Sequence, residues 1–127
     1  MRILAIDMGT GTQDILLFDS SRSIENSLKM VLPSATEVAA RRIRAATGKG
    51  ERLILSGAIA GGGPCSWALE EFIAAGGLTF ATPDAAQTFD DDLDRVREIG
   101  VTVVSEDEAA AMTGIRVVLG DLDLEAI

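Results

Sequence analysis

Short apolar runs separated by glycine-rich or acidic turns recur along most of the chain. Each run spans about four residues and stops abruptly, which is typical of a buried strand rather than of a helix. Runs rich in Ile, Leu and Val between turn residues favour the same interpretation. The pattern predicts strands at residues 3–6, 15–18, 27–32, 53–55, 78–81, 101–104 and 116–119.

Between the later strands, apolar residues recur at helical spacing. The clearest helix follows Pro33, where Ser34 and Glu37 have the spacing of a capping box and an apolar stripe continues to Ala46. Further helices are predicted at residues 66–75, 91–99 and 105–112. The acidic cluster that precedes the third of these four helices is interpreted as a solvated helix start, and Trp67 as a core residue.

The order of these elements predicts the fold class. Alternation of strand and helix favours an α/β fold with a mixed sheet, in which N-terminal antiparallel hairpin strands are followed by parallel strands with crossover helices. We expect the strand at 3–6 to lie centrally, antiparallel to 15–18 and parallel to 53–55. A length of 127 residues is compatible with a single domain.

The amino-acid composition limits the kinds of partner, catalytic residue and metal site that the chain could have. A formal net charge of −9 argues against partners such as nucleic acid or an anionic membrane, because both need clustered Lys and Arg. The chain has no histidine and one cysteine, so imidazole catalysis and an all-cysteine metal site are excluded within it. Carboxylates would have to hold any metal, which favours magnesium. Neither a signal peptide nor a membrane span is evident, so we expect a cytoplasmic protein.

The segment AIDMGTGTQDILLFD, residues 5–19, carries the candidate chemistry. Asp7 follows an apolar run and offers a carboxylate to hydrated magnesium or to a water. Glycines let backbone amides approach phosphate oxygens, and threonine hydroxyls can donate to them. These phosphate-binding candidates are Gly9, Thr10, Gly11 and Thr12. The alternative is an ordinary hairpin turn in which Asp7 caps its own turn.

This segment resembles the first phosphate motif of the actin, heat-shock-70 and sugar-kinase superfamily. The resemblance implies an actin-like ATPase lobe, ribonuclease H-like in fold, that binds ATP and magnesium. It implies that Asp7 is the metal ligand and the catalytic carboxylate, and that the phosphates contact Gly9, Thr10, Gly11, Thr12 and Gln13. Many sugar kinases have Lys or Arg shortly after the turn, where this chain has Gln13 and Asp14. Two functions therefore stay open: an ATP-dependent phosphotransferase or ATPase, and a non-catalytic actin-like interaction module.

A second segment, SGAIAGGGPCSW at residues 56–67, connects a predicted strand to a helix. Ligands gather at such places in open α/β sheets, and free amides at a helix start favour an anion. By resemblance to sugar kinases, Gly61, Gly62 and Gly63 would contact an unknown small-molecule acceptor. The alternative is a tight connection that needs small residues for packing. If the helix begins at Cys65 or Ser66, the pKa of the Cys65 thiol is expected to be lowered; the alternative is that Cys65 is a small packed residue.

The resemblance extends more weakly along the whole chain through the order of its elements. It implies that residues 1–127 are the N-terminal lobe of a longer two-lobe protein, inactive alone because half of the nucleotide clamp is missing. Assembly into a homo-oligomer is compatible with it. The chain is also similar to an uncharacterised, largely archaeal family, some of whose members are labelled pyruvate formate-lyase activating enzyme. That label implies a radical SAM cluster held by three closely spaced cysteines, whereas Cys65 stands alone.

Overall fold

Two separate sheets organise the part of the chain that the computed structural model describes, residues 1–9, 11–58 and 62–120. Three strands form the first: β1 (Arg2–Met8), β2 (Thr12–Asp19) and β3 (Leu28–Pro33). They are paired antiparallel in the order β1-β2-β3, and we call them the N-terminal sheet. A single 3₁₀ turn, Ile24–Asn26, lies in the connection from β2 to β3.

The second sheet is parallel throughout. Its strands are β4 (Leu53–Gly57), β5 (Thr79–Ala81), β6 (Val101–Val103) and β7 (Ile115–Leu119). They lie in the order β6-β5-β4-β7, and we call them the parallel sheet. The strand order reverses beside β4, because the chain adds β5 and β6 on one side of it and β7 on the other. Such a reversal is where ligands gather in open α/β sheets.

Helices cover the parallel sheet. They are α1 (Ala35–Ala46), α2 (Gly62–Ala74), α3 (Pro83–Ala86), α4 (Leu93–Ile99) and α5 (Glu106–Ala111). Leu53 and Leu55 of β4 join the main core with residues of α1 to α4, whereas Ile54 joins a smaller cluster with Ala109 of α5. Successive residues of a strand face opposite sides, so α5 lies on the other face from the main core. Consecutive burial in β4 follows from this arrangement.

Three of the four predicted helix starts are confirmed, whereas α2 begins at Gly62 and not at residue 66. Ser34 Oγ accepts a hydrogen bond from the backbone N–H of Glu37 at 3.1 Å, and Ser105 Oγ accepts one from Glu108 in the same way. The acidic cluster is a helix start as well, because Asp92 caps α4. The sequence pattern does not predict helix α3, although Pro83 at its first position is a common start signal.

The expected position of the first strand is partly wrong. β1 pairs antiparallel with β2, with Ile3 opposite Phe18, as predicted. However, β1 is an edge strand of the N-terminal sheet and not a central one. It is not parallel to β4, because β5 and β7 occupy both sides of β4 and β7 alone pairs with all five of its residues. The mixed sheet of the prediction is therefore two sheets.

Trp67 is not in the core, which is a second correction. Its side chain is 62% exposed. The buried residues of α2 are Cys65, Ala68, Leu69 and Phe72, a stripe at helical spacing. Trp67 lies between two members of that stripe in sequence, and so on a different side of the helix. Within the described ranges, none of the helices is long and apolar enough to cross a membrane.

Candidate functional site

The glycine turn closes the hairpin between β1 and β2. The Gly9 N–H donates to the carbonyl of Thr12 at 2.9 Å, and Met8 pairs with Gln13 just beyond it. A Cβ at Gly9 would lie 3.2 Å from the Thr12 carbonyl oxygen, a tight approach that favours glycine there. Thr10 lies outside the described residues. Of the phosphate-binding candidates, Gly9, Gly11 and Thr12 thus share one short turn.

This turn rests on the residue that caps α1. The Ser34 N–H donates to the Gly11 carbonyl at 3.1 Å. In a complete capping box the Glu37 side chain would take that N–H, but the Glu37 carboxylate instead accepts from Arg41 Nε at 3.3 Å. Only half of the predicted box is therefore formed, and the other half is replaced by a contact to the glycine turn. The turn consequently lies at the positive end of a 12-residue helix.

The start of α2 also contacts the first turn of α1. Cys65 Sγ lies 3.4 Å from the Thr36 carbonyl and donates its S–H to that oxygen. Gly62 and Gly63 are the first two residues of α2, while Gly61 lies outside the described residues. Because Ser34 and Thr36 both belong to the start of α1, the two segments that the sequence singled out separately each contact the first turn of this helix. Both helix N-termini contribute positive potential there, which favours an anion.

Gln13 is the most unusual polar residue of this region. Its relative exposure is 0%, and neither Nε2 nor Oε1 has a hydrogen-bond partner. Leaving a buried polar group unpaired costs about 1–3 kcal/mol, so such groups call for an explanation, such as a ligand or an ordered water. Gln13 directly follows the glycine turn. Its unpaired amide is thus a candidate contact for a molecule bound beside that turn.

Asp7 lies in a different environment. It is exposed, it is within β1 rather than at the strand's end, and its cross-strand partner is Asp14. Since Met8 pairs with Gln13, alternation along the strands puts the two aspartates on the face opposite to Gln13. Asp7 and Asp14 line a groove of about 400 Å³ together with Lys29 and Val31. The structure therefore separates Asp7 from Gln13, which the sequence had grouped in one site.

Asp14 is a candidate that sequence reasoning missed. Two like charges directly opposite each other on adjacent strands are destabilising, so the pair has a reason to attract a cation. In the described part of the chain, no group of three or more Asp, Glu, Cys or His residues could hold a metal ion. Magnesium, however, commonly uses one or two carboxylates together with waters and phosphates, which two aspartates fit. A hairpin register counted outward from the glycine turn would have predicted this pairing.

The thiol of Cys65 has a raised pKa and not a lowered one. Burial raises the pKa of its thiol from 9.0 to about 11; the charge of Glu37 acts in the same direction, and Arg44 opposes both. The reason is geometric: α2 begins at Gly62, so Cys65 lies one turn inside the helix and faces α1. The thiol is fully buried and neutral at physiological pH. The condition for a lowered pKa, a helix that begins at Cys65 or Ser66, is therefore not met, and Cys65 is the small packed residue of the alternative.

Comparison with known proteins gives one family. The model of a family described as "Putative pyruvate format-lyase activating enzyme (DUF1786)" matches residues 60–127. The matched region begins immediately before the three glycines and includes Cys65, α2 and the later strands of the parallel sheet. Neither a curated protein nor a solved structure matches the chain.

Proposed function

This chain belongs to the DUF1786 family, and from that premise we propose that it is the phosphate-binding lobe of an actin-like ATPase or sugar-kinase-like phosphotransferase that uses MgATP. The convergence of the glycine turn with the first residues of α1 and α2 carries the proposal. Backbone amides at a glycine turn and at helix N-termini are the groups that proteins use most readily for phosphate.

Each candidate residue has a role in this proposal. The phosphates contact the turn and its neighbour, that is Gly9, Thr10, Gly11, Thr12 and Gln13. Asp7, with Asp14 opposite it, would hold magnesium, and because the two aspartates lie on the face opposite to Gln13, MgATP would reach both groups only around the glycine turn at the end of the hairpin. Magnesium neutralises phosphate charge when it is bound. Gly61, Gly62 and Gly63 contact the acceptor at the start of α2, close to the turn through Thr36 and Cys65.

The chain lacks the ligands for the activity after which the family is named, that of a pyruvate formate-lyase activating enzyme. An activating enzyme of the radical SAM type needs a cluster with three thiolate ligands. Cys65 is the single cysteine of this chain, it is fully buried, and its pKa is raised to about 11. These properties oppose thiolate formation, and a cluster ligand must be a thiolate.

A second function, a non-catalytic actin-like interaction module, is favoured by a different observation. The N-terminal sheet leaves large apolar side chains exposed on one of its faces, including Leu4, Met8, Leu17 and Leu28. Exposed apolar patches of this kind commonly mark interaction surfaces. In this interpretation the lobe binds another protein surface, and the presence of Gln13 and Asp14 after the turn, in place of Lys or Arg, reflects lost catalysis.

Calorimetric titration of MgATP into the full-length protein, with both lobes of the proposed clamp, separates the two functions. We expect the wild type to bind MgATP and to melt at a higher temperature with it, because a ligand that binds only the native state stabilises that state. Asp7→Asn should weaken magnesium-dependent binding at least about tenfold and leave the melting curve without ligand almost unchanged, since Asp7 is exposed. Asp91→Asn, at an exposed carboxylate before α4, is the control. Equal affinity in wild type and Asp7→Asn removes Asp7 from the site, and no binding by the wild type favours the interaction module.

A further inference from the structure

A small pocket of about 220 Å³ lies at the end of the N-terminal sheet that is farthest from the glycine turn. Arg2 lies opposite Asp19 across β1 and β2. Leu17 lies opposite Leu28 across β2 and β3. Alternation along β2 puts these four lining residues on one face of the sheet. About 20 Å of strand separate the pocket from the glycine turn, because β1 has seven residues, so the pocket is distinct from the proposed phosphate site.

The connection from β2 to β3 forms the rest of the pocket wall and is held by its own hydrogen bonds. The Asp19 carboxylate accepts from the backbone N–H of Ser21 at 3.0 Å and from the Ser21 hydroxyl at 2.8 Å. Asn26 Nδ2 donates to Ser23 Oγ at 2.9 Å. These bonds hold the connection in one conformation. The residues that line the pocket from this side are Arg22, Asn26 and Ser27.

Three polar groups of the pocket have donors that the fold does not use. Ser27 Oγ is buried and has no hydrogen-bond partner in the described part of the chain. The Arg22 guanidinium forms no ion pair with the described residues. Arg2 contacts Asp19 through Nε alone, at 3.5 Å. A buried hydroxyl without a partner calls for an explanation, and two guanidinium groups in the same pocket favour a bound oxyanion.

The charge of the pocket distinguishes between kinds of oxyanion. Asp19 is ionised, because hydrogen bonds from Ser21, and then the charges of Arg2 and Arg22, lower its pKa. Two arginines and one aspartate give the lining a net charge of +1. A carboxylate neutralises this charge. A phosphate group carries about −1.5 to −2 at pH 7, so it would leave excess negative charge on a chain that already carries −9.

We propose that this pocket binds a small monocarboxylate that carries an apolar chain. The carboxylate accepts hydrogen bonds from Arg2, Arg22 and the Ser27 hydroxyl. The apolar chain covers Leu17 and Leu28, which are 39% and 55% exposed. The ligand is small, because drug-sized molecules occupy pockets of about 300–1,000 Å³ and this one is below that range. This site does not depend on MgATP binding at the glycine turn.

Titration of hexanoate into the full-length protein, followed by ¹H–¹⁵N NMR, tests the ligand class. We expect saturable shifts of the amide signals of residues 22 and 27, with a dissociation constant on the order of 1 mM for so small a ligand. Acetate should bind at least about tenfold more weakly, because it lacks the apolar chain. Inorganic phosphate should also bind more weakly than hexanoate. No saturation at about 20 mM hexanoate, equal binding of acetate, or tighter binding of phosphate overturns the proposal.

Matched substitutions test the residues of the pocket. Arg22→Gln should weaken hexanoate binding at least about tenfold, because it removes a charge-assisted hydrogen bond. Ser27→Ala should weaken it about three- to tenfold, the effect of one neutral hydrogen bond. Arg42→Gln, at an exposed arginine of α1, is the control and should bind hexanoate as the wild type does. Both arginines are exposed, so their variants should melt as the wild type does. An Arg22→Gln variant that binds hexanoate with wild-type affinity removes Arg22 from the site and overturns the proposal.

Discussion

The two sheets of this molecule share a pattern of consecutive apolar residues but differ in how far those residues are buried. Both are built from consecutive apolar residues, such as Ile-Leu-Leu-Phe in β2 and Leu-Ile-Leu in β4. All three residues Leu53, Ile54 and Leu55 are completely buried, because helices cover both faces of the parallel sheet. By contrast, every residue of β1 is exposed or half-buried, and β2 buries only Gln13 and Ile15.

An apolar run therefore predicts a strand, but it does not predict whether helices pack on the faces of that strand's sheet. Consecutive apolar residues are typical of sheets covered on both faces. In the parallel sheet that cover is supplied by α1 to α5. The N-terminal sheet has the same pattern without the cover, which is why it is the natural candidate for an interaction surface. Free energy of folding should accordingly come mainly from the parallel sheet and its helices, since it follows buried apolar area.

The largest expected effect comes from truncating matched leucines in the two sheets. Leu55→Ala in β4 should lower the free energy of unfolding by about 2–5 kcal/mol, because it leaves a cavity among fully buried neighbours. Leu28→Ala in β3 should change it by less than about 1 kcal/mol, because that side chain is 55% exposed. Urea denaturation of both variants measures the difference. Equal losses would mean that the N-terminal sheet is covered in solution.

Matched glycines give the next largest effect. Gly57 ends β4 with φ of +96°, and a Cβ there would lie 2.4 Å from the Leu119 carbonyl oxygen, so Gly57→Ala should destabilise by about 1–3 kcal/mol. At Gly11 a Cβ would meet nothing within 4 Å, and φ is not positive, so Gly11→Ala should change stability by less than about 0.5 kcal/mol. Thermal melts compare the two. A large loss in Gly11→Ala would show that its turn is as constrained as the end of β4.

The sequence predicts the strands and most helices because apolar runs, turn residues and capping residues mark these elements locally. All seven strands are at or within two or three residues of the expected ranges, and three helix starts follow from their capping residues. The neighbours of β4 could not be predicted in the same way. Both β1 and β7 are short apolar strands that could lie beside β4, and nothing in either segment alone decides between them.

The candidate site is predictable in its segments and not in its geometry. Composition alone singles out the glycine turn and the three glycines, because glycine runs are rare without a backbone reason. Their convergence depends on contacts of Ser34 and Thr36, residues whose pattern indicates only a helix start. Asp7 and Gln13 are close in sequence, but the alternation of the strand separates them. The condition for a lowered pKa of Cys65 is not met because α2 starts earlier than its apolar pattern indicates.

Replacing Gln13 should have a smaller effect, and it should stabilise the protein where the previous substitutions destabilise it. Replacing an unpaired buried amide by an apolar side chain of similar size removes a desolvation penalty, so Gln13→Met should stabilise the protein without ligand by about 1–2 kcal/mol. Gln87→Met, at a half-buried glutamine after α3, is the control and should be near neutral. Chemical denaturation measures both. Destabilisation by Gln13→Met would show that the amide is paired in solution and would remove it from the candidate site.

The last effect, on Cys65, is seen only at alkaline pH, where the stability of the protein should depend on pH. Burial raises the pKa of this thiol from 9.0 to about 11, so the folded state holds the proton more tightly than the unfolded state does. The resulting stabilisation is fully present below pH 9 and is lost as the pH rises toward 11, by about 2–3 kcal/mol at about 1.4 kcal/mol per pKa unit. Cys65→Ala should lose less stability over that interval, and native wild type should resist iodoacetamide at about pH 8.5 until it unfolds. Rapid alkylation of the native protein at that pH would mean that the thiol is accessible and that α1 and α2 separate at this point.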